Sequence, residues 1–174
     1  MTYSIYDASA PVFADVLSNM QAWLDKALAG GGDEAALMEV RLAPDMRAFP
    51  GQYQMASDTA KFAIARLAGI EAPSMPDTES SFAELKDRCQ RTIDFVRSVD
   101  RSALEGAEER QVVLKFPNGM GYSFNGRDYL NRFALPNFYF HATTAYALLR
   151  ANGVPLGKPD FLQHLGQPNA VAAA

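Results

Sequence analysis

At 174 residues, with 48% hydrophobic and 21% charged side chains, the chain is long enough to bury a core of its own and does not have the composition of a disordered segment. Its net charge of −4 comes from lysines and arginines scattered among carboxylates, which argues against nucleic acid as a partner and against a polybasic membrane contact. The lone cysteine, Cys89, cannot close an internal disulfide, Met1–Phe13 lack a basic stretch followed by an apolar run, and no stretch reaches the ~18 apolar residues of a membrane span, so the expected location is the cytoplasm.

A first helix is predicted from about Ser9 to Ala29, because Phe13, Val16, Leu17, Met20, Trp23, Leu24, Ala27 and Leu28 recur at spacings of three and four. Ser9 is placed to cap it, Pro11 is tolerated in the first turn, and Gly30-Gly31-Gly32 ends it. A short helical piece fits Asp33 to Leu42. Pro44 and Pro50 then read as a loop with extended residues before each proline.

The second long helix is predicted from about Gln52 to Ala68, with Ala56, Ala60, Ala63 and Leu67 on one small-residue face and Gly69 as its stop. A proline-containing connector follows. The third runs from about Ser81 to Asp100: Ser81 and Glu84 form a capping box, and Phe82, Leu85, Cys89, Thr92, Ile93, Val96 and Val99 give its apolar stripe.

The pattern then turns β-favouring over Gln111 to Phe116 and Tyr122 to Phe124, with Pro117-Asn118-Gly119 as a turn, so a small hairpin is expected. Asn125 can cap a short helix near Gly126 to Phe133, and Pro136 opens the last long helix, which runs to about Asn152. Its Phe138-Tyr139-Phe140 run is apolar nearly all round, which suits a central helix or a dimer interface. The prolines and glycines after Val154 predict a surface tail without helix. Residues 166–174, ending in Ala172–Ala174, are expected to be a disordered tail.

Several strings resemble a known family: Arg41-Leu42-Ala43-Pro44-Asp45-Met46, the Gln54 to Gly69 helix with Asp58 and Ala60-Lys61, Asp77-Thr78-Glu79 leading into Phe82, Gly126-Arg127-Asp128-Tyr129-Leu130, and Phe133 to Tyr146. Together they resemble the bacterial family called domain of unknown function 1993, placed among the DinB/YfiT-like helical bundles. The resemblance implies an all-α DinB-like four-helix bundle over residues 1–165, with the hairpin inserted before the last long helix, and often a homodimer. It supplies no activity. Metal-binding relatives in the wider group use three histidines, one on the second helix and two on the fourth with three residues between them. Here there are only His141 and His164, and the position four after His141 is Ala145.

His141 is the focus of any chemistry, as pocket-lining base, hydrogen-bond partner or metal ligand, or else as a buried hydrogen-bonded core residue. Gln54 and Asp58 lie one turn apart on the second helix and could meet His141 inside the bundle; equally, Asp58 and Lys61 could be an ordinary ion pair on a solvated face. Asn137 is one turn before His141, and Tyr146 could add a hydroxyl. The expected site is thus a cavity between the second and fourth helices lined by Gln54, Asp58, Asn137, His141 and Tyr146, with His141 and Asp58 as catalytic candidates. Cys89 reads as a small core residue.

These residues lead to a small-molecule-binding or scaffold domain with a degenerate metal site, requiring no cofactor. Zinc or nickel at His141 is the alternative. A DinB-like enzyme, a thiol-dependent transferase or metal-dependent hydrolase using His141 as ligand or base, is the competing function.

Overall fold

The structure, a computed structural model, describes residues 3–168. Of the tail expected to be disordered, residues 169–174 lie outside them. The elements in chain order are α1 (Ala10–Ala29), α2 (Glu34–Glu39), α3 (Phe49–Ala68), α4 (Phe82–Ser98), β1 (Gln111–Lys115), β2 (Gly121–Asn125), α5 (Gly126–Tyr129), α6 (Leu135–Ala151) and α7 (Lys158–Phe161), with short 3-10 turns at Arg101–Leu104, Ala107–Glu109 and Gln163–Leu165.

The four long helices α1, α3, α4 and α6 form the bundle. α1 packs on α4, α4 on α3 and α3 on α6, and α1 also meets α3 and α6. Phe13, Trp23, Tyr53, Phe82 and Phe138 are fully buried along these contacts. Each such side chain contributes about 1.5–3 kcal/mol by leaving water. α3 is the most enclosed of the four: Gln52, Ser57, Thr59 and Lys61 are buried along with its alanines.

Proline does different things here from what its sequence context suggests. α3 begins at Phe49, so Pro50 sits in its first turn, where the missing N–H costs nothing; the Phe49 N–H is used by the Val40 carbonyl at 2.8 Å. Pro136 does not separate two helices. α5 continues through a π-helical turn, Leu130–Ala134, directly into α6, with the Leu135 N–H bonding the Leu130 carbonyl. The wider turn directly precedes the proline and carries the helix past it without a break.

The caps also differ in detail. Ser9 does not cap α1; its hydroxyl donates to the Ile5 carbonyl at 2.6 Å. Ser81 does cap α4, accepting from the Glu84 N–H at 3.3 Å, but the Glu84 carboxylate takes the Ser80 amide and hydroxyl rather than closing the box. The Phe82 N–H is capped from outside the helix by Glu34 of α2. Asn125 caps α5 through the Asp128 N–H at 2.8 Å.

The hairpin is antiparallel, with Gln111 opposite Asn125 and Lys115 opposite Gly121. Gly126 follows at once because a Cβ there would lie 1.8 Å from the Ala107 carbonyl oxygen. The segment after Val154 is not a plain tail. α7 docks on α1, where the Trp23 indole donates to the Asp160 carbonyl at 3.0 Å and Asn19 donates to the Phe161 carbonyl at 2.9 Å. Asn19 also lies 2.9 Å from the His164 Nδ1. No helix among the described residues is long and apolar enough to cross a membrane.

Candidate functional site

α3 presents two polar stripes, about a third of a turn apart round the helix. Gln52 and Thr59 face α6; Gln54, Asp58 and Lys61 face α4 and the connector before it. The five residues expected to share one cavity are therefore divided.

On the α6 side, the Gln52 Oε1 lies 2.9 Å from the His141 Nδ1, and the Gln52 Nε2 donates to the Arg47 carbonyl at 2.9 Å. One turn earlier on α6, Asn137 donates to the Thr59 hydroxyl at 2.7 Å. His141 is half-buried, with the Phe140 ring meeting it edge to face at 5.1 Å between centroids. Burial and then the nearby Arg47 charge lower its pKa to about 4, so the imidazole is neutral at ordinary pH.

On the α4 side, Arg88 is completely buried and gathers three carboxylates: Asp58 at 2.9 Å, Asp77 at 3.0 Å and Glu79 at 2.9 Å. It also donates to the Pro76 carbonyl at 3.1 Å, while Gln54 donates to Glu79 at 3.0 Å and Lys61 pairs with Asp58 at 2.8 Å. Burial alone would raise the Glu79 carboxyl, but hydrogen bonds from Arg88 and Gln54 hold it below its usual value. Burial alone would likewise lower Arg88, yet Glu79, Asp58 and Asp77 leave it raised. The cluster pins the 76–79 connector to α3 and α4. It is a charged core, with every acid already committed.

The expected Asp58–His141 pair therefore does not form. Asp58 and Gln54 share a stripe, but that stripe looks away from α6. Tyr146 also faces elsewhere. Five residues beyond His141, it turns toward α1 and packs edge to face on Trp23 at 5.5 Å and Phe161 at 5.7 Å. Asn137 and His141 alone, of the five, meet the same face of α3.

The donor set at His141 does not fit a zinc or nickel ion. Its partner is an amide oxygen, Ala145 stands one turn on, and among the described residues no three His, Cys, Asp or Glu side chains are grouped to hold a metal. Cys89 supplies no thiol chemistry here: it is fully buried, and desolvation, only partly offset by Arg88, pushes it up to about 12. On a different face of α6 from His141, which does not line it, Leu42, Tyr139, Phe140, Thr143, Thr144 and Ala147 line an open, largely apolar cleft of about 430 Å³. Of the aromatic run on α6, Phe138 is buried, whereas Tyr139 and Phe140 are exposed on this cleft.

Gln52 and Arg88 are the residues that sequence reasoning missed. Each had a signal. Gln52 lies four residues before Ala56, on the small-residue face; Arg88 lies three after Leu85 and four before Thr92, on the apolar stripe.

This arrangement of four long helices with an inserted hairpin is that of the DinB-like helical bundles. A crystal structure of a DinB family member from Shewanella denitrificans matches with a TM-score of 0.84 and 34% identity, over 97% of this chain and 96% of that one. The family model for the domain of unknown function (DUF1993) matches residues 5–162, and the chain belongs to that family. No functionally curated protein matches it significantly.

Proposed function

We propose that this protein is a small-molecule-binding or scaffold domain in which the metal site of DinB-like bundles has been reduced to a hydrogen-bonded histidine–glutamine pair. The observation that carries this reading is the 2.9 Å contact between the His141 Nδ1 and the Gln52 side chain. In metal-binding relatives the second long helix offers an imidazole toward the fourth. Here α3 offers an amide, whose oxygen is a weak ligand for zinc, and α6 offers alanine at the second histidine position. A single imidazole falls short of the three or four ligands that such an ion requires. What is left is a neutral imidazole oriented by the Gln52 amide, a group suited to hydrogen bonding rather than to holding an ion.

The same reading makes the protein cytoplasmic and homodimeric. Phe116, Met120 and Tyr122 gather exposed apolar side chains on the hairpin, a surface of the kind that subunits bury. Sedimentation tests the dimer, with a monomer as the contrary result.

Calorimetric titration with zinc and with nickel tests the site. The expected result is no tight, stoichiometric uptake. Uptake of one equivalent that disappears in His141→Ala would overturn the reading.

A further inference from the structure

Three asparagines stand directly before a glycine, and the fold treats each pair differently: Asn118-Gly119, Asn125-Gly126 and Asn152-Gly153. In such a pair the glycine backbone nitrogen can attack the asparagine side-chain amide carbon and close a succinimide ring. Glycine favours this because no Cβ hinders the approach and its backbone turns freely. The reaction needs a side-chain amide free to swing onto the next nitrogen, and a nitrogen that can leave its own hydrogen bond.

Asn125 has no such freedom. Its side-chain oxygen caps α5 through the Asp128 N–H at 2.8 Å, and its backbone is paired with Gln111. Gly126 is buried against the Ala107 carbonyl. Asn152 is exposed but tied. Its Nδ2 donates to the Leu148 carbonyl at 2.8 Å, and the Asn152, Gly153 and Val154 amides all donate back into the end of α6.

Asn118 stands exposed at the tip of the hairpin, and its Nδ2 has no partner among the described residues. The Gly119 N–H donates to the Phe116 carbonyl at 3.0 Å. That bond closes the turn of a sheet of only two strands, an element that opens locally at little cost. The Asn118 Oδ1 accepts from the Met120 N–H at 3.1 Å, a bond that spans Gly119. A donor at this oxygen polarises the carbonyl, so charge that builds there during attack is already partnered.

We propose that Asn118 is a site of spontaneous modification, cyclising onto Gly119 and opening to aspartate and isoaspartate while Asn125 and Asn152 persist. The Gly119 nitrogen gives its proton to hydroxide and bonds to the Asn118 Cγ. The Cγ–Nδ2 bond then breaks, and Nδ2 leaves as ammonia with a proton taken from water, which returns the hydroxide. Water opens the ring at either carbonyl: addition at Cγ gives aspartate, and addition at the backbone carbon gives isoaspartate. One amide and one water are consumed, one acid and one ammonia are released, and nothing is oxidised or reduced. While the ring is closed Gly119 has no N–H for the Phe116 carbonyl. The isoaspartyl product adds a backbone carbon to a turn whose length sets the strand register. It also places a carboxylate in the turn between the exposed Phe116 and Met120. None of this depends on the state of His141.

The test incubates the full chain at mildly alkaline pH, once native and once in urea. Peptides are then mapped by mass spectrometry with fragmentation that separates isoaspartate from aspartate. In the native protein Asn118 is expected to convert at least about tenfold faster than Asn125 or Asn152, and in urea the three rates come together. Aged native protein is also expected to exchange the amides of β1 and β2 faster than Asn118→Ser treated alike, because serine cannot form the ring. A native Asn118 that converts no faster than either of the others overturns the proposal. So does a lead that survives unchanged in urea, since the preference would then owe nothing to the fold. Exchange that does not change on ageing, with Asn118 converted, overturns the claim that the turn is remade.

Discussion

Asp58 of α3 and Arg88 of α4 meet at 2.9 Å, with the guanidinium completely buried. A charge taken this far from water is tolerated because Asp58, Asp77, Glu79 and the Pro76 carbonyl surround it. Arg88→Ala leaves those carboxylates facing one another without their cation, and Lys61 reaches only Asp58. The expected loss is about 3–5 kcal/mol of folding stability, measured by urea denaturation. The exposed Arg91–Asp87 pair on the same helix is the control: Arg91→Ala changes stability by no more than about 0.5 kcal/mol.

Cys89 is held as a protonated thiol in the core, pushed up to about 12. A thiol-reactive dye at mildly alkaline pH is expected to leave the native protein almost unlabelled and to label it fully in urea. Rapid labelling of the native protein would mean that the α4 stripe opens without global unfolding.

His141 makes stability depend on pH, with a definite sign. Its pKa is about 4 in the fold against an ordinary 6.5, so the unfolded chain binds the proton more readily. The contribution is fully present above pH 6.5, is lost progressively as pH falls toward 4, and levels off below that. His141→Gln should flatten this part of the stability profile, leaving the carboxylate titrations at lower pH. Denaturation midpoints at half-unit pH intervals show whether it does.

How much of this was legible in the sequence differs from element to element. The apolar spacings of α1, α3 and α4 gave the long helices because each buries a stripe, and Asn125 announced α5 because a cap is a local device. Pro136 misled because its effect depends on the turn before it: a π turn carries the chain from α5 into α6 without a break, and nothing local specifies that turn. The site was harder. Gln54 and Asp58 are correctly one turn apart, but which partner a stripe faces is set by how α3 rotates between α4 and α6. That rotation follows from the whole core. His141 stood out as the only histidine in a long helix, whereas its partner Gln52 is an amide at a helix start, a residue type that seldom marks a site.

If the metal site is reduced rather than absent in design, replacing the missing imidazoles should restore it. Gln52→His together with Ala145→His places three histidines on α3 and α6 around His141. Zinc at about a hundredfold over its dissociation constant should then stabilise the double variant by about 2.7 kcal/mol, read as a rise in melting temperature, with no rise in the wild type. Gln52→His alone is expected to give a smaller response.

The central claim is that the His141 imidazole is partnered by Gln52 and not by an ion. The most direct measurement is the metal content of the wild-type protein as isolated from cells supplied with zinc and nickel, set beside that of His141→Ala. The account predicts far less than one equivalent of either metal in both proteins. One equivalent in the wild type that is missing from His141→Ala would contradict it.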